Sequence, residues 1–195
     1  MKTPLIMIGS AAFAPEINGE LSSRWEYLIE LVKYYDWNRG AELGIWYGQT
    51  FFNLMDAHPS LHLIGVDIWT DHDCDKVSHH GNQAKNRAEV YRRHERGGYA
   101  GRSEIMEMTT AEAAKLVPDE SLDFVFIDAA HDYDSVCADI TNWAPKVKPG
   151  GFLTGHDYEW PTVAAAVHDC LSGVHVHNAG GDYMWACRKP GGNEG

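Results

Sequence analysis

The chain has 195 residues, of which 44% are hydrophobic and 23% are charged, an ordinary composition for one globular domain with a buried core. Sixteen Lys and Arg against 28 Asp and Glu give a formal net charge of −12, which argues against a nucleic-acid partner, because phosphates require a positive surface. No apolar segment predicts a membrane span, and the 4 scattered cysteines suit reduced thiols better than disulfides or a zinc site.

The opening segment MKTPLIMIGSAAFAP partly imitates a signal peptide, but its apolar run LIMI is short and a glycine follows it. We therefore expect a cytoplasmic protein. We expect a single domain over residues 1–189, with a helical extension at about 1–38 and a disordered tail at 190–195. Apolar residues at helical spacing predict a helix over 22–37, with Ser22 or Ser23 as its N-cap.

Beyond this helix, apolar strands alternate with helical segments along the chain. The predicted strands are 40–44, 61–69, 103–108, 121–128 and 150–158. The predicted helices are 49–58, about 82–96, 109–117, 134–147 and 162–171. Strands that alternate with helices of this length form βαβ units, and therefore a parallel sheet with helices on both faces.

The segment 174–188 breaks the alternation, because VHVHNAGGDYMWACR predicts two strands joined by the turn AGGD. The expected fold class is therefore α/β, a doubly wound and mostly parallel seven-stranded sheet that ends in a C-terminal antiparallel hairpin. Such a sheet differs from the ordinary dinucleotide-binding fold.

Polar residues follow the first two strands, where ligands of open parallel sheets bind. In ELGIWYGQT, Gly44 permits a tight turn and Gly48 lets the next helix begin close to a ligand, whereas Trp46 replaces the second glycine of the dinucleotide fingerprint. Asp67 ends the second strand, where an acid either accepts the hydroxyls of a ribose or merely ends the strand or caps a turn. An adenosine ligand without a pyrophosphate, such as S-adenosylmethionine, fits both features.

The stretches FIDAAHDY and GHDY bring ligand-type side chains to the ends of two further strands. Asp128, His156 and Asp157 should converge at one corner, where carboxylates suit magnesium or manganese and a histidine favours manganese, iron or zinc. His131 follows closely and could remove a proton from a metal-bound hydroxyl. Structural interpretations stay open: the acids could cap helices, His131 could lie on a solvated turn, and His156 could bond only the backbone.

Four motifs resemble the class I S-adenosylmethionine-dependent methyltransferases: AELGIWYGQT, GVDIW, FIDAAHDYDSVCADITNWAPKVKPGGFLTGHDY and AAAVHD. They resemble in particular the small branch with IDxxHxY and GHDY motifs, which is similar to the metal-dependent macrolide-sugar O-methyltransferases. The resemblance implies that His131 and Asp128 are catalytic, with His131 as the general base. It implies a divalent metal on Asp128, His156 and Asp157; because acids occupy this corner in the sugar enzymes, His156 is a departure that leaves the metal open. The implied cofactor-binding residues are Glu42, Gly44, Gly48 and Thr50, Asp67 for the ribose, Ile68, Trp69 and Thr109 for the adenine, and Asp128.

The function expected from these observations is metal-assisted O-methylation of a small hydroxylated molecule, with S-adenosylmethionine as the methyl donor. No nucleic acid and no membrane is expected as a partner, and homo-oligomerisation is left open. Two alternatives remain, a metal-dependent hydrolase or oxygenase on the same sheet and a non-catalytic nucleoside-binding protein. The loop 71–80, DHDCDKVSHH, matches no recognised pattern, so the acceptor is not assigned.

Overall fold

The computed structural model describes residues 21–70 and 82–191, together with the backbone of residues 7 and 8. Three expectations concern segments outside these ranges: most of the N-terminal extension, the loop 71–80, and residues 192–195 of the tail. Within the described part of the chain, no helix has both the length and the apolar character needed to cross a membrane.

The described residues form strands separated by helices, as the sequence predicts. The strands are β1 (Met7–Ile8), β2 (Arg39–Leu43), β3 (His62–Asp67), β4 (Ser103–Glu107), β5 (Leu122–Ile127), β6 (Val147–Gly155), β7 (Leu171–Ser172), β8 (His175–Ala179) and β9 (Asp182–Arg188). The helices are α1 (Arg24–Tyr35), α2 (Gln49–Ala57), α3 (Gln83–Arg96), α4 (Thr110–Ala114), α5 (Tyr133–Trp143) and α6 (Pro161–Cys170).

Seven of these strands form the central sheet in the order β4-β3-β2-β5-β6-β9-β8. The five strands from β4 to β6 are parallel, whereas β9 runs antiparallel to β6 and β8 antiparallel to β9. The β8–β9 hairpin turns at Gly180 and Gly181, both at positive φ, so the predicted antiparallel hairpin is confirmed. The predicted α/β fold class is confirmed with it.

One small sheet was not predicted. The backbone of β1 pairs in parallel with β7, so the predicted helix 162–171 ends at Cys170 and Leu171 belongs to a strand. Two-residue strands carry no hydrophobic periodicity, which explains why the sequence pattern missed them.

The sheet is covered on both faces because alternate residues of its central strands are apolar. Val125 and Ile127 of β5 pack in one core with α5 and α6, whereas Phe124 and Phe126 pack in the other with α1 and α2. With helices on both faces, the carboxyl ends of the parallel strands remain the accessible edge.

Two helix ends bear directly on that edge. Ser23 is the N-cap residue of α1 but forms no side-chain cap; instead the backbone N–H of Arg24 donates to Asp182 Oδ2 at 2.9 Å. At α5, Asp132 is the N-cap residue and its side chain accepts from the Ser135 N–H at 3.0 Å. The first helix is therefore tied to the C-terminal hairpin, and Asp128 is not needed as a cap.

Candidate active site

A cavity of about 790 Å³ lies at the carboxyl ends of the parallel strands. Its wall is formed by the loops that follow β2, β3, β4, β5 and β6, together with Arg24 of α1 and one side of α5. A cavity of this size is typical of sites for small molecules and cofactors.

The two glycines predicted in the cofactor site, Gly44 and Gly48, have different structural roles. Gly44 has φ +89° and lines the cavity. A Cβ at this position would lie 2.0 Å from the Asp128 carbonyl oxygen, so glycine is required here because two loops approach each other closely. Gly48 has φ +85° and precedes α2, where a Cβ would meet the Phe52 ring at 2.6 Å. Gly48 is not in the cavity wall, so it serves helix packing.

Asp67 lines the cavity and holds the loops on either side of it. Its Oδ2 accepts from the Trp46 N–H at 2.7 Å, and its Oδ1 accepts from the Trp69 N–H at 2.7 Å. Burial raises the pKa of this carboxyl, although the backbone hydrogen bonds oppose the shift. Each carboxylate oxygen has a second lone pair, so the carboxylate can also accept hydroxyl donors from a ligand.

Of the three residues predicted to border an adenine, Ile68 and Thr109 line the cavity. The structure does not bring Trp69 to the cavity wall. The Trp69 side chain is buried in the core beside Tyr91, and its indole N–H donates to the Trp46 carbonyl at 2.7 Å. A large aromatic residue after a strand is equally suited to closing a loop over the core, which is its role here.

Glu42 is a buried acid in the cavity wall, only 1% exposed, and its Oε2 has no hydrogen-bond partner among the described residues. Burial raises its pKa well above the ordinary value, and the charge of Asp128 adds to the shift while Arg24 opposes it. Thr50 is also buried, and its hydroxyl oxygen accepts from Arg24 Nε at 3.1 Å. A hydrogen-bond donor on a ligand would supply the partner that Glu42 Oε2 lacks among the described residues.

The structure brings together the four residues of the predicted corner. His131 Nε2 lies 2.7 Å from Asp157 Oδ2. His156 Nδ1 lies 3.1 Å from Asp157 Oδ1 and 3.4 Å from Asp128 Oδ1. His156 therefore faces carboxylates, and its contacts are not confined to the backbone. The N-cap residue of α6 is Trp160, so Asp157 does not cap that helix.

The charges of this corner stabilise one another. Burial alone would lower the pKa of His156, but the hydrogen bonds and charges of Asp128 and Asp157 outweigh it and raise the pKa to about 10. Burial alone would raise the pKa of Asp157, but the hydrogen bonds from His131 and His156 outweigh it and hold the pKa below its ordinary range. Asp157 also has φ +56°, a conformation that costs a non-glycine residue about 1 kcal/mol.

Three of the four residues also form a candidate metal-ligand set. One ligand atom each from Asp128, His131 and Asp157 lie within 4.8 Å of one another. Ligands about 2.0–2.6 Å from one ion lie up to about 5 Å apart, so the spacing and the donor types fit a divalent cation. The sequence assigned His156 to this set, whereas the structure groups His131 with the two acids.

Two further residues of the cavity wall, Arg24 and Asp139, were not singled out from the sequence. Arg24 comes from α1, and its Nε lies 3.2 Å from Asp128 Oδ2. Asp139 comes from α5, among the buried residues Val136, Ile140 and Trp143. An acid on the apolar side of a predicted helix is a signal that could have identified Asp139, but no pattern places Arg24 beside a strand end about a hundred residues away.

Comparison with known proteins agrees with the fold and the motifs. The sequence model of a family described as a methyltransferase domain matches residues 41–158, more than half of the chain. A protein of Sinorhizobium fredii, described as uncharacterized protein y4gI, is 29% identical over 125 residues; the match covers 62% of this chain and 13% of that protein's length.

Solved structures share the architecture. The O-methyltransferase TomG of Streptomyces achromogenes, involved in tomaymycin synthesis and solved with S-adenosylmethionine, superposes with a TM-score of 0.63 at 16% identity, over 85% of this chain and 79% of that one. An O-methyltransferase of Bacillus cereus in complex with S-adenosylhomocysteine gives 0.62 at 14% identity, over 89% and 84%. From the family match over residues 41–158, the chain belongs to the methyltransferase-domain family.

Proposed function

We propose that this protein transfers the methyl group of S-adenosylmethionine to a hydroxyl oxygen of a small molecule, with His131 as the base. The observation that carries the proposal is the 2.7 Å contact between His131 Nε2 and Asp157 Oδ2, beside Asp128 in the wall of the cavity. A histidine oriented by a carboxylate at the edge of a substrate cavity is the arrangement that general-base catalysis requires.

The residues at the ends of β2 and β3 suit the methyl donor. Asp67 accepts the ribose hydroxyls, and the buried carboxyl of Glu42 receives the ammonium group of the methionine part, which supplies the donor that Oε2 lacks. Thr50 and the backbone of Gly44 line the same region. When bound in this way, S-adenosylmethionine supplies an electrophilic methyl group at the corner formed by Asp128 and His131.

His131 takes the proton of the acceptor hydroxyl. Because Nε2 lies 2.7 Å from the Asp157 carboxylate, Asp157 stabilises the imidazolium that forms when the ring takes this proton. The ring also packs against Trp160, with 4.9 Å between ring centroids, and the His131 carbonyl accepts from the Thr162 hydroxyl at 2.6 Å. These contacts hold the base in place before the substrate arrives.

Asp128 and Asp157 would hold a divalent metal, with one histidine nitrogen completing the set. Magnesium or manganese suits the two carboxylates, and iron or zinc becomes favourable if a histidine binds directly. A metal held by these residues would lower the pKa of a bound hydroxyl and so would assist His131 in removing its proton. Since His131 belongs to the candidate ligand set, its roles as base and as ligand compete, and they predict different metal affinities for a His131 variant.

The acceptor class follows from the chemistry of the corner and from the motifs. A base beside a candidate metal site is needed for a weakly acidic hydroxyl. The resemblance to macrolide-sugar O-methyltransferases makes hydroxylated sugars and glycosides the first acceptors to test. Phenols and catechols are the second group.

The test is incubation of the purified protein with methyl-deuterated S-adenosylmethionine and a panel of sugars, glycosides and phenols, with and without a chelator. The proposal predicts that mass spectrometry detects one labelled methyl group on oxygen, together with S-adenosylhomocysteine. Loss of product on chelation, restored by manganese or magnesium, supports the metal. If product forms equally well with the chelator, the metal requirement is ruled out and the assignment of His131 as the base is unaffected. Hydrolysis or oxidation of an acceptor without methyl transfer contradicts the proposal.

A further inference from the structure

The C-terminal hairpin carries an acid, Asp182, that lies beside the corner at the ends of β5 and β6 and that the proposed mechanism does not use. Asp182 is the first residue of β9, directly after the Gly180–Gly181 turn. It is not among the residues that line the cavity. Any effect of Asp182 on a ligand bound there therefore acts through other residues.

The two carboxylate oxygens of Asp182 contact the start of α1 and the residue after β6. Oδ2 accepts from the Arg24 backbone N–H at 2.9 Å. This N–H belongs to the first turn of α1, where N–H groups lack intrahelical partners and the helix dipole favours a negative charge. Oδ1 lies 3.4 Å from His156 Nε2, a buried ring nitrogen that forms no hydrogen bond with the described residues. Asp182 therefore supplies negative charge to both Arg24 and His156.

The same two residues, Arg24 and His156, hold the Asp128 carboxylate. Arg24 Nε lies 3.2 Å from Asp128 Oδ2, and His156 Nδ1 lies 3.4 Å from Asp128 Oδ1. Asp128 and Asp182 thus face each other across these two residues, in a closed ring of contacts in which each carboxylate oxygen has one nitrogen partner. A carboxylate held at both oxygens does not rotate freely, so the orientation of Asp128 depends on where Arg24 and His156 lie.

The hairpin fixes the position of Asp182 itself. A Cβ at Gly180 would lie 2.8 Å from Ser22 Cα, so the turn packs directly against the chain that leads into α1. On the other side, the Tyr158 N–H donates to the Tyr183 carbonyl at 3.1 Å, which joins the hairpin to the loop after β6. The hairpin therefore holds the Asp182 carboxylate between α1 and the loop after β6.

We propose that Asp182 is a positioning residue for methyl transfer, which acts through Arg24 and His156. By holding these two residues, it fixes the orientation of the Asp128 carboxylate beside the base. The inference rests on the proposed function, which assigns Asp128 to the corner where the methyl group is transferred. A displacement of about 1 Å at a catalytic group can lower a rate about a hundred-fold, so a contact one residue removed from the ligand is enough to change turnover.

Two substitutions separate the contact with His156 from the docking of α1. Asp182→Asn keeps the size of the side chain and an oxygen that can accept from the Arg24 N–H, so α1 stays docked, but its uncharged amide no longer attracts His156. Asp182→Ala loses both contacts. Asp123→Asn is the matched control, because Asp123 also accepts from two backbone N–H groups, at 2.9 and 2.8 Å, but lies at the opposite edge of the sheet, near the start of β5.

The first experiment measures transfer from methyl-deuterated S-adenosylmethionine to the panel acceptor that the wild type methylates fastest, after thermal melts have shown that each variant is folded. Asp182→Asn should lower kcat about ten-fold, and Asp182→Ala about a hundred-fold. The KM for the acceptor and the calorimetric affinity for S-adenosylhomocysteine should stay within about three-fold of wild type, because Asp182 lies outside the cavity wall. Asp123→Asn should match the wild type in all three quantities.

A second experiment needs no acceptor. Nitrogen NMR of protein that contains isotope-labelled histidine reports the surroundings of each imidazole nitrogen, and the spectrum of His156→Gln identifies the signals of His156. Asp182→Asn should move the Nε2 signal of His156, because the carboxylate beside that nitrogen is lost. Asp123→Asn should leave this signal in place.

The results that overturn the inference are distinguishable from one another. A kcat of Asp182→Asn within about two-fold of wild type overturns it and leaves the proposed function intact. A fall in kcat that Asp123→Asn shares makes the role of Asp182 purely structural, which also overturns it. An unmoved Nε2 signal in Asp182→Asn overturns the contact on which it rests. A wild type that methylates no acceptor of the panel overturns the proposed function and the inference together.

Discussion

The buried charges of the cavity wall have different surroundings at the β5–β6 corner and at Asp139. At the β5–β6 corner, His131, His156, Asp128 and Asp157 neutralise one another over distances of 2.7–3.4 Å. On α5, Asp139 has one hydroxyl partner, Thr110, and no oppositely charged group contacts it among the described residues. The pKa values follow: that of Asp157 is held below its ordinary range, whereas burial raises that of Asp139 to about 6.

This difference shows what each end is suited to do. Acids and histidines in mutual contact can exchange protons or accept a cation without large reorganisation, which suits a catalytic corner. A single buried acid with an unfilled acceptor is suited to recognising a donor on a ligand. Variants at the corner should therefore change the rate of transfer, and variants at the other end should change affinity and stability.

The largest effect is expected for Asp128→Ala at the corner. Loss of this carboxylate removes a metal ligand and the partner of Arg24 Nε, so transfer and metal binding should both fall to background, about a thousand-fold or more for the rate. Single-turnover kinetics and calorimetry with manganese measure the two quantities. Asp119→Ala is the control, because the Asp119 side chain is 67% exposed. Transfer within ten-fold of the wild type would contradict the role of Asp128.

His131→Ala should reduce the rate by about 10²–10⁴-fold, the usual contribution of a positioned base. If His131 acts only as the base, affinities for metal and S-adenosylhomocysteine should change little. The wild-type rate should rise with pH through the range where histidines lose a proton, and the variant should lose that rise. His168→Ala, at a side chain 84% exposed, is the matched control. A parallel loss of metal affinity would instead make His131 a metal ligand.

Asp67→Ala tests the middle of the cavity, where the ribose is expected. The affinity for S-adenosylhomocysteine should fall by about 1–3 kcal/mol, because the ribose hydroxyls and two backbone N–H groups lose their acceptor. Calorimetry measures the affinity, and a thermal melt of the free protein reports the separate cost of the lost loop contacts. An unchanged affinity of Asp67→Ala for S-adenosylhomocysteine would contradict the assignment of Asp67 to the ribose.

Asp139→Asn should change stability and leave the catalytic corner unaltered, with a gain in the free energy of unfolding of about 3 kcal/mol at pH 7 in the absence of ligand. Burial raises the folded-state pKa of Asp139 to about 6, above the ordinary value of 3.8, so the wild type loses stability as pH rises from about 4 through about 6. The variant should not show this loss, and the two proteins should converge near pH 4. Denaturant melts at pH 4 and pH 7 measure the difference. A variant that is less stable at pH 7 would indicate a structural role for Asp139.

Much of the fold could be predicted because the strands and helices differ in hydrophobic period. The runs that became β3 and β5 are continuous and apolar, as buried parallel strands require, and the Gly180–Gly181 turn marked the hairpin. The short β1–β7 pairing has no such pattern. Ser23 is the N-cap residue of α1, as predicted, but Asp182, remote in sequence, accepts from the first helical N–H, and the Ser23 side chain forms no cap hydrogen bond.

The sequence pattern locates the candidate site best where its residues lie at strand ends. Asp67, Asp128 and Asp157 line the cavity because the carboxyl ends of parallel strands meet at one edge. Position after a strand does not determine which way a side chain turns, so Trp69 was assigned to the cavity although it packs in the core. Arg24 reaches the site from a helix, and only tertiary structure brings it there.

The most direct test of the proposed function is a crystal structure of the protein with S-adenosylhomocysteine. The ribose hydroxyls should contact Asp67, and the sulfur should lie at the corner formed by Asp128 and His131. A ligand bound in the reverse orientation, with its base at His131, or bound outside this cavity, would contradict it.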